Sequence, residues 1–559
     1  MGIKLDEIGK VAKSEVLVLG GGVAGCMAAI GAREQGAKVL IVDKGLIESC
    51  GCAGAGNANY HTHFNSGPDW DTDEAVTKYY SCSGPTGGYG ILSSQVFDKA
   101  ITKQLIPMVK RLEDIGIEFY KNPDGSYQRT QAFGNPGPWI TTMKNGKYFK
   151  RLLAKEVRSV GIETADYVMV TKLLANADRV TGAAGFNIHN GEFYIFRAKS
   201  VVLALGSSQE RITTSSNGNP FNCWMRPYST GSAVVIACDA GAKVVDLELM
   251  SRATILPKGF GAPGMSAFCG VGAYMVNSIG ERYMLKYHPM AEKAPRSIFV
   301  LAACNELAEG RGPLYIDARH LSKDDMEHMV KDRLFTDGDV YPEYFKQRGL
   351  DLKRDLLEVE VSELLGGGML LVNEQCASTL NGLFGYTPAQ LALALCGGFS
   401  SGTEAAKYAL GVKELPQIGS EQVLEEKLNV FRPIKRKAGY TWRELEDKIR
   451  LVMNYYMSFI RNQQGMETAL SRLKLIEKHV HEIKVDNYHE LLRASETKHL
   501  VKYCQLLVRA ALARKESGRC FYKRSDYPDL DETWSNKHVV LWQENREPKI
   551  SVAMIEQGG

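Results

Sequence analysis

The pattern that most restricts how this chain folds lies within its first sixty residues. An apolar run at residues 16–19 leads directly into a glycine-rich turn, Gly20 to Gly25, with the spacing G-x-G-x-x-G. A stretch of helix-forming composition follows, and residues 38–42 then supply a second apolar strand that ends at Asp43. Strand, glycine turn, helix, strand and acid arrive in the order of a βαβ dinucleotide-binding unit.

Each residue of this turn has its own predicted purpose. We expect Gly20 to make the tight turn, Gly22 to let the backbone approach a pyrophosphate, and Gly25 to let the helix pack on the strand, with Ala24 beside it at the cofactor. The helix N-terminus then faces the negative charge of the phosphates. We expect the Asp43 carboxylate to accept the hydroxyls of an unphosphorylated ribose.

The stretch after Asp43 indicates which dinucleotide is bound. Lys44 is followed, across residues 48–57, by a run of small residues through which the backbone can lie against a flat ring system. Nicotinamide enzymes rarely need such a run, so it predicts FAD. The candidate cofactor contacts in this stretch are Lys44, Ser49, Cys50, Gly51, Gly54, Ala55, Gly56 and Asn57.

This block resembles the flavoprotein subunits of fumarate reductase, succinate dehydrogenase and adenylylsulfate reductase, where an acid-Lys pair precedes a Ser-rich and Gly-rich flavin loop. The resemblance extends piecewise over most of the chain. It includes a second flavin signature at residues 201–207, a Thr-Gly turn with Ser232 where an acid is usual, an Asn-x-x-Gly turn at 277–280, a Phe-Ser-Ser-Gly segment at 399–402 and an Arg-x-Glu-Ser segment at 514–517. The Phe-Ser-Ser-Gly segment, together with Asn59, is closest to adenylylsulfate reductase.

The resemblance implies further cofactor contacts and the way in which the flavin is held. The additional candidate contacts are Val168, Ala204, Gly206, Ser400 and Ser401. Cys50 lies close to where some relatives have the histidine that bonds covalently to the flavin, and His61 and His63 are too far along the chain. We therefore expect noncovalent FAD, and two histidines are too few to predict a metal site.

Length and periodicity predict an α/β protein with several folding units, because 559 residues exceed one core. The expected architecture is a Rossmann-like FAD-binding domain with an inserted α+β capping domain and a C-terminal helical domain. The predicted segments are 1–244 and 359–419 for the FAD-binding domain, 245–358 for the capping domain, 420–519 for the helical domain and 520–559 for the tail. Helices are predicted at 95–115, 144–157, 442–459, 466–481 and 488–515, a β-meander at 167–174, 180–188 and 194–198, a separate parallel strand at 201–207, a loop at 122–140 and an edge hairpin at 539–554.

Composition limits the partners of the chain. With 68 basic against 64 acidic residues the net charge is only +4, so no nucleic-acid partner is expected. No apolar run reaches the length of a membrane span and residues 1–13 lack the regions of a signal peptide, which favours a cytoplasmic protein that is not integral to the membrane. The twelve cysteines show no repeated C-x-x-C spacing. If electrons pass through iron–sulfur clusters, a ferredoxin-like partner subunit must carry them.

The catalytic residues are implied by the resemblance. Fumarate reductases transfer a hydride from the flavin, donate a proton from an arginine and clamp two carboxylates with His and Arg. Residues 292–300 look like the segment that carries the arginine, which would be Arg296. The clamp is missing: Ala253, Cys269, Glu363 and Gly398 stand where the dicarboxylate enzymes have His or Arg, which argues against fumarate and succinate. For a substrate of the adenylylsulfate type, the candidate cations are Lys147, Arg252 and Lys258.

Three functions remain open from the sequence. The first is an FAD-dependent oxidoreductase that acts on a small substrate between the flavin and capping domains and exchanges electrons with an iron–sulfur partner subunit. The second is the adenylylsulfate reductase alpha subunit itself. The third is a flavin-carrying electron-transfer subunit of a larger redox complex, with a vestigial substrate pocket. No second βαβ fingerprint is available for a pyridine nucleotide, so reduction by NADH is not expected.

Overall fold

The computed structural model describes residues 3–80, 100–131, 136–206, 210–213, 220–221, 226–249, 254–260, 266–328, 340–362, 368–386, 390–458, 460–519 and 521–554. Its strands are β1 (Lys10–Leu19), β2 (Val39–Val42), β3 (Asn59–His61), β4 (Arg129–Thr130), β5 (Ile140–Thr142), β6 (Glu163–Ala165), β7 (Val168–Asn176), β8 (Arg179–Asn187), β9 (Phe193–Leu203), β10 (Val244–Val245), β11 (Thr254–Pro257), β12 (Tyr274–Val276), β13 (Leu314–Asp317), β14 (Leu357–Ser362), β15 (Met369–Leu370), β16 (Leu383–Phe384), β17 (Lys537–Glu544) and β18 (Glu547–Met554).

The α-helices with described bounds are α1 (Leu5–Ile8), α2 (Val23–Glu34), α3 (Asp73–Tyr80), α4 (Leu105–Asp114), α5 (Phe149–Ser159), α6 (Ser232–Asp239), α7 (Ser266–Gly270), α8 (Met284–Tyr287), α9 (Arg296–Ala308), α10 (Lys323–His328), α11 (Val340–Arg348), α12 (Leu391–Gly411), α13 (Ser420–Phe431), α14 (Trp442–Tyr456), α15 (Gln463–Val480) and α16 (Tyr488–Ala513). Short 3₁₀ turns lie at Cys52–Ala55, Gly146–Tyr148, Glu210–Ile212, Ala291–Lys293, Pro433–Lys435 and Glu532–Trp534. Within these described residues, no helix is long and apolar enough to cross a membrane.

The central sheet has the strand order β6-β2-β1-β9-β8-β7, with β16 paired to β9. Strands β6, β2, β1 and β9 run parallel, whereas β9, β8 and β7 pair antiparallel. Residues Val16, Leu17, Val18 and Leu19 of β1 are fully buried, as expected of a parallel strand covered on both faces. The carboxyl ends of β1, β2 and β9 therefore meet at one edge of the sheet, where the glycine turn begins.

Strand β9 corrects the prediction of two separate strands at 194–198 and 201–207. Residues Phe193–Leu203 form one strand whose first half pairs with β8 and whose Val201 and Val202 pair with β16. Its polar residues do not interrupt it because each finds a partner: the Ser200 hydroxyl donates to the Ala405 carbonyl at 2.9 Å, and Lys199 pairs with Glu15 at 3.0 Å. One strand thus serves both the parallel sheet and the meander.

A second correction concerns the predicted loop at 122–140. Within it, Arg129–Thr130 forms β4, which pairs with β5, and β5 in turn pairs with β3. This three-stranded sheet lies directly after the flavin loop.

The predicted helix at 144–157 is also shorter at its start, because Gly146–Tyr148 is a 3₁₀ turn and α5 begins at Phe149. Of the predicted helix at 95–115, residues 95–99 lie outside the described part of the chain, and α4 accounts for its later half.

The segment between β10 and β15 carries its own sheet and its own apolar core. Strands β11, β14, β13 and β12 form an antiparallel four-stranded sheet in that order. Its core includes Ile255, Phe268, Met275 and Phe299, all nearly inaccessible to solvent. After β12 the Asn277 side chain accepts a hydrogen bond from the Glu281 N–H at 3.0 Å, and Gly280 has φ +80°, which makes the expected Asn-x-x-Gly turn.

The C-terminal third is helical and ends in a hairpin. Helices α14, α15 and α16 begin at side-chain caps, where Thr441, Asn462 and Asn487 accept hydrogen bonds from the first turn of each helix. Thr441 and Glu444 form a complete capping box. Strands β17 and β18 form a hairpin that turns at Asn545 and Arg546, both with positive φ. The predicted helices and the predicted hairpin are confirmed.

Candidate cofactor site

The glycine turn is shaped by close contacts to neighbouring backbone. Gly20 has φ +104°, and a Cβ on it would lie 2.2 Å from the Ala204 carbonyl oxygen at the end of β9. A Cβ on Gly25 would lie 1.7 Å from the Gly20 carbonyl oxygen, so this glycine is what lets α2 pack on β1. Gly22 is the N-cap of α2, with its nearest neighbour, Gly51 Cα, at 3.7 Å from an added Cβ. The turn thus has the tight and open positions that its spacing predicts.

Asp43 fastens this turn to the end of β2. Its Oδ2 accepts a hydrogen bond from the Gly21 N–H at 2.7 Å, and its Oδ1 accepts one from the Gly45 N–H at 2.7 Å. Each carboxylate oxygen has a second lone pair, so ribose hydroxyls remain compatible with these bonds. The Val168 N–H donates to the Asp43 carbonyl at 2.9 Å, which brings the start of β7 to the same place.

The loop after Asp43 is packed against three different parts of the protein. Gly51 has φ +75°, and a Cβ on it would lie 2.8 Å from Gly22 Cα; one on Gly54 would lie 2.3 Å from Arg226 Nη2; one on Gly56 would lie 2.7 Å from Lys147 Cα. The Asn57 N–H donates to the Gly146 carbonyl at 2.9 Å. These glycines therefore accommodate protein neighbours, and their contact with a flat ring system stays a prediction.

The remaining predicted contacts divide into two groups. Ala204 lies beside the turn, with its N–H donating to the Leu19 carbonyl at 2.8 Å, and Gly206 has φ +84° next to Ser229. Ser400 and Ser401 lie inside α12 instead. The Ser401 hydroxyl is fully buried, donates to the Gly397 carbonyl at 2.7 Å and accepts from the Tyr386 N–H at 2.9 Å. Both of its hydrogen-bonding roles are thus engaged within the protein.

A diphosphate fits the edge that these residues form. The N-cap of α2 is a glycine, which has no side chain to accept the N–H groups of the first helical turn. Such a helix N-terminus is a ready anion site, because its N–H groups and dipole favour negative charge. Gly20 and Gly25 remove the side chains that would fill the turn. These residues would hold the diphosphate, and FAD would supply the hydride chemistry when bound.

The sequence did not predict the roles of two residues at this edge. The Arg226 guanidinium donates from Nε to the Gly51 carbonyl and from Nη2 to the Ser49 carbonyl, both at 3.0 Å, and so holds the flavin loop. Lys150 on α5 is 1% exposed, and its Nζ donates to the Ile47 carbonyl and to Cys26 Sγ. Nothing local signals either role, because the partners are more than a hundred residues away along the chain.

Buried thiols surround the base of the turn. Burial, with the neighbouring Asp43 carboxylate, raises the pKa of Cys50 well above its usual value. Cys26 itself donates to the Gly21 carbonyl at 3.3 Å. The Cys50 thiol is therefore not ionised at neutral pH.

The predicted catalytic residues are placed apart. Lys147 is exposed in the 3₁₀ turn that contacts Gly56, next to the flavin loop. Lys258 lies on the capping sheet, 55% exposed, with its Nζ 2.5 Å from Glu358 Oε1 on the neighbouring strand. Arg296 is the first residue of α9, and Arg252 lies outside the described residues. The structure thus brings Lys147 to the cofactor loop and makes Lys258 half of a cross-strand ion pair on the capping sheet.

The departures from the dicarboxylate clamp have packing explanations where they are described. Cys269 is 1% exposed in the core of the capping sheet. A Cβ on Gly398 would lie 2.3 Å from the Ala24 carbonyl oxygen, so the crossing of α12 and α2 excludes any side chain there. Ala253 and Glu363 lie outside the described residues.

A second run with G-x-G-x-x-G spacing, Gly259 to Gly264, follows β11. Its residues 261–264 lie outside the described part of the chain; the strand before it, β11, is antiparallel to its partner β14, unlike the strands of a βαβ unit.

Comparisons with known proteins agree with this geometry. Residues 15–364 match the family of FAD binding domains, and residues 446–557 match the fumarate reductase flavoprotein C-terminal family. Among curated relatives, a subunit of the fumarate reductase (CoM/CoB) of Methanothermobacter marburgensis is 26% identical over 96% of this chain and 98% of its own length. The L-aspartate oxidase of Streptomyces coelicolor is 24% identical over 94% of this chain and 91% of its own.

Solved structures share the fold. An adenosine-5-phosphosulfate reductase in complex with sulfite superposes with a TM-score of 0.86 at 22% identity, covering 100% of this chain and 99% of its own. The E. coli quinol fumarate reductase superposes with a TM-score of 0.82 at 20% identity, covering 98% and 97%. The FAD-family match spans more than half of the chain and contains the glycine turn, the flavin loop and strand β9. The chain therefore belongs to the FAD binding domain family of flavoproteins and is an FAD-dependent oxidoreductase whose relatives include fumarate reductase, succinate dehydrogenase and L-aspartate oxidase flavoproteins.

Proposed function

We propose that this oxidoreductase acts on a small substrate held between the flavin and the capping segment 245–358, and exchanges electrons with an iron–sulfur partner subunit in the cytoplasm. The observation that carries the proposal is the edge where β1, β2 and β9 end, with an open helix N-terminus and a loop packed on three sides. Such an edge presents FAD to whatever covers it. The segment that follows β10 has a second sheet and a core of its own, and we propose it as the cover.

The proposed partner is supported by relatives that are named as subunits, one of a fumarate reductase and one a succinate dehydrogenase flavoprotein. The cysteine spacing of this chain also lacks the repeat that would hold a cluster. The proposed compartment rests on the buried single thiols, such as Cys26, Cys238 and Cys376, which pack as small apolar groups.

Arg296 is the residue we propose for proton transfer to the substrate. It opens α9, directly after Pro295 as N-cap. An arginine can pass on a proton only where a neighbour resupplies it, because the guanidinium is otherwise always charged. Lys147, beside Gly56, and Arg252 are the cations proposed to attract an anionic substrate.

The proposal is tested by anaerobic reduction and reoxidation. The purified protein is reduced with dithionite, and oxidised acceptors of different classes are added, among them fumarate and adenylylsulfate, while flavin absorbance is followed. We expect one acceptor class to reoxidise the flavin, and Arg296→Gln to slow that step about a hundredfold or more. Flavin that every acceptor reoxidises at the same slow rate in both proteins would instead support an electron-transfer subunit with a vestigial pocket.

A further inference from the structure

Glu496, on the third turn of α16, is inaccessible to solvent and binds three cations. Its Oε1 accepts from Lys44 Nζ at 2.6 Å. Its Oε2 accepts from Arg211 Nη1 at 2.8 Å and from Arg493 Nη1 at 2.6 Å. Burial works to raise the pKa of Glu496, but the three cations hold it well below its usual value. The carboxylate is therefore ionised throughout the neutral range.

Two of the three cations, Lys44 and Arg211, come from opposite sides of the glycine turn, whereas Arg493 lies on α16 itself. Lys44 directly follows Asp43 at the end of β2, and Arg211 lies in the 3₁₀ turn that follows β9. Because the strand order is β2-β1-β9, one carboxylate of the helical segment reaches the segments that leave both strands flanking β1. Strand β1 is the strand that ends in the turn.

Lys44 is also tied to the geometry of Asp43. Asp43 Oδ1 accepts from the Gly45 N–H at 2.7 Å, so Lys44 is enclosed in the short turn that the Asp43 side chain closes. Asp43 Oδ2 in turn accepts from the Gly21 N–H. Besides Glu496, the Lys44 ammonium donates to the Tyr228 carbonyl, and Arg226, in the same stretch, holds the flavin loop. A carboxylate that fixes Lys44 thereby restrains the turn, the ribose-binding acid and the loop together.

We propose that Glu496 of the helical segment is a positioning residue of the FAD site, acting through Lys44. The inference rests on the proposed use of this edge by FAD. Glutamine in its place keeps the size but removes the charge, so that the Lys44 ammonium is left with neutral acceptors, the Tyr228 carbonyl and the amide oxygen of the new side chain. A charge-assisted bond is about twice as strong as a neutral one, so Lys44 gains freedom and the Asp43 turn loosens.

The test measures FAD binding rather than turnover. Apoprotein is titrated with FAD and the quenching of flavin fluorescence gives Kd for wild type, Glu496→Gln, Lys44→Met and the double variant. We expect each single variant to bind FAD about tenfold more weakly, and the double variant to be no more than about twofold weaker than either single one, because both remove the same interaction. Lys44→Arg keeps the charge and is expected to stay within about threefold of wild type.

The matched control is Glu446→Gln. Glu446 is a carboxylate of the same buried cluster, 1% exposed, and its partners are Arg211, Arg450 and Thr497. It is expected to lower the unfolding temperature of the apoprotein as Glu496→Gln does, but to leave the Kd for FAD within about threefold. A Kd for Glu496→Gln equal to that of Glu446→Gln, or additive losses in the double variant, overturns the proposal.

A second measurement covers the case in which FAD resists removal or Glu496→Gln does not fold. Hydrogen–deuterium exchange of the holoprotein is compared over residues 39–46. We expect faster exchange there in Lys44→Met and Glu496→Gln, and wild-type exchange in Glu446→Gln. Unchanged exchange in Lys44→Met contradicts the inference on its own. Wild-type protein that binds no FAD would instead contradict the proposed function.

Discussion

Gly51, Gly54 and Gly56 each face a different neighbour: the α2 N-cap for Gly51, the Ser49 carbonyl with the Arg226 guanidinium for Gly54, and the backbone of Lys147 for Gly56. A side chain on any of them would push that neighbour away, and at Gly51 and Gly56 the positive φ adds strain for other residues. The loop therefore has its small residues because three elements converge on it. Its shape is fixed by the protein before the cofactor arrives, which reduces the ordering cost of binding.

The first prediction is that FAD is bound noncovalently. The Cys50 thiol is kept protonated by burial and by Asp43, which makes it a poor nucleophile toward the flavin ring. His63 is also engaged, because its Nε2 bonds to Asp73 Oδ1. After precipitation with acid we expect all of the yellow colour in the supernatant. Colour in the pellet that disappears in Cys50→Ala or Cys52→Ala would show a thioether bond instead.

The second prediction concerns His499, which is buried and bonded through Nδ1 to the Ser232 hydroxyl at 2.8 Å. Burial lowers its pKa from 6.5 to about 3, and nearby lysines add to the shift. Above pH 6.5 the His499 imidazole is neutral in both the folded and the unfolded protein, so stability does not depend on it. Between pH 6.5 and about pH 3 this imidazole is protonated in the unfolded chain but stays neutral in the folded protein. Stability therefore falls as the pH is lowered through this window, by about 1.4 kcal/mol per pH unit.

Urea denaturation at about pH 7.5 and about pH 5.5 measures the effect. We expect the wild-type free energy of unfolding to fall by about 1.4 kcal/mol more than that of His499→Gln over this interval. His489→Gln, at an exposed position on the same helix, is the control and is expected to keep the wild-type slope. Equal slopes in wild type and His499→Gln would mean that His499 titrates normally in the folded protein.

How far single residues are predictable depends on how local their partners are. Gly20, Gly25 and Asp43 were predicted because strand, turn, helix and acid follow one another in sequence. Glu496 and Arg226 were not, since Glu496 meets Lys44 across 452 positions and Arg226 meets Ser49 across 177. A sequence pattern contains no record of which distant segments meet.

At the scale of elements, helices α2 and α12 approach each other so closely that glycines are required at their crossing. A Cβ on Gly402 would lie 1.8 Å from the Ala28 carbonyl oxygen, and one on Gly31 would lie 2.5 Å from the Phe399 carbonyl oxygen. The Phe-Ser-Ser-Gly segment, which the sequence related to adenylylsulfate reductase, thus has a packing reason of its own. Its glycine lets the second helix approach the one that carries the turn.

The third prediction follows from this crossing. Gly402→Ala forces the two helices apart, and we expect it to lower the free energy of unfolding by about 1–3 kcal/mol, the usual cost of overpacking. Urea denaturation measures the loss. Because α2 begins at the cofactor turn, FAD affinity should fall as well.

Gly411→Ala is the control, because it lies at the end of the same helix with nothing within 4 Å of the added Cβ. There alanine is expected to be neutral or to stabilise by up to about 1 kcal/mol through higher helix propensity. A Gly402→Ala protein as stable as wild type would show that the helices separate at little cost.

The elements that were predicted well are those whose start is signalled by residues within the same stretch of sequence. Helices α14, α15 and α16 start at Thr441, Asn462 and Asn487, which are strong N-caps ahead of amphipathic runs. Strand β9 was divided in two because Lys199 and Ser200 are polar, and only the tertiary contacts of these two residues explain why it continues. Strand β4 was read as loop because two residues leave no periodicity to detect.

At the scale of the whole molecule, small sheets join segments that lie far apart in the sequence. Strand β17 of the C-terminal hairpin pairs with β10, which pairs with β15, so the two ends of the capping segment and the tail share one sheet. Arg514 adds a buried link, donating to Glu248 Oε1 at 2.6 Å and to Glu516 Oε1 at 2.8 Å. The hairpin was predictable from its alternation, but its pairing with β10 was not, because residues 245 and 540 are far apart in sequence.

The fourth prediction is that NADH alone does not reduce the flavin. The one βαβ unit that carries the fingerprint is the one we assign to FAD, and the second run of matching spacing, Gly259 to Gly264, follows an antiparallel strand. Under anaerobic conditions we expect the flavin absorbance to be unchanged by NADH but bleached by dithionite or by a reduced ferredoxin-like protein. Rapid bleaching by NADH would reveal a pyridine-nucleotide site that the fingerprint does not describe.

The last prediction is that the protein neither reduces fumarate nor oxidises succinate at an appreciable rate, although a relative at 26% identity bears the name fumarate reductase. Four positions lack the His or Arg of the dicarboxylate clamp. Two of them are described: Gly398 has no room for a side chain, and Cys269 is buried in the apolar core of the capping sheet. Each bond to a charged group contributes about 1.5–3 kcal/mol, roughly ten- to a hundredfold in rate when it forms in the transition state.

Dye-linked assays in both directions check this expectation, with reduced viologen for fumarate and a phenazine acceptor for succinate. Adenylylsulfate serves as the comparison acceptor, because Arg296 can still protonate a different activated substrate. Turnover on fumarate that is abolished in Arg296→Gln would contradict the prediction, and it would mean that the dicarboxylate is clamped by other residues of the capping segment. Turnover that survives in Arg296→Gln would locate the chemistry away from α9, since the proton would then come from another group.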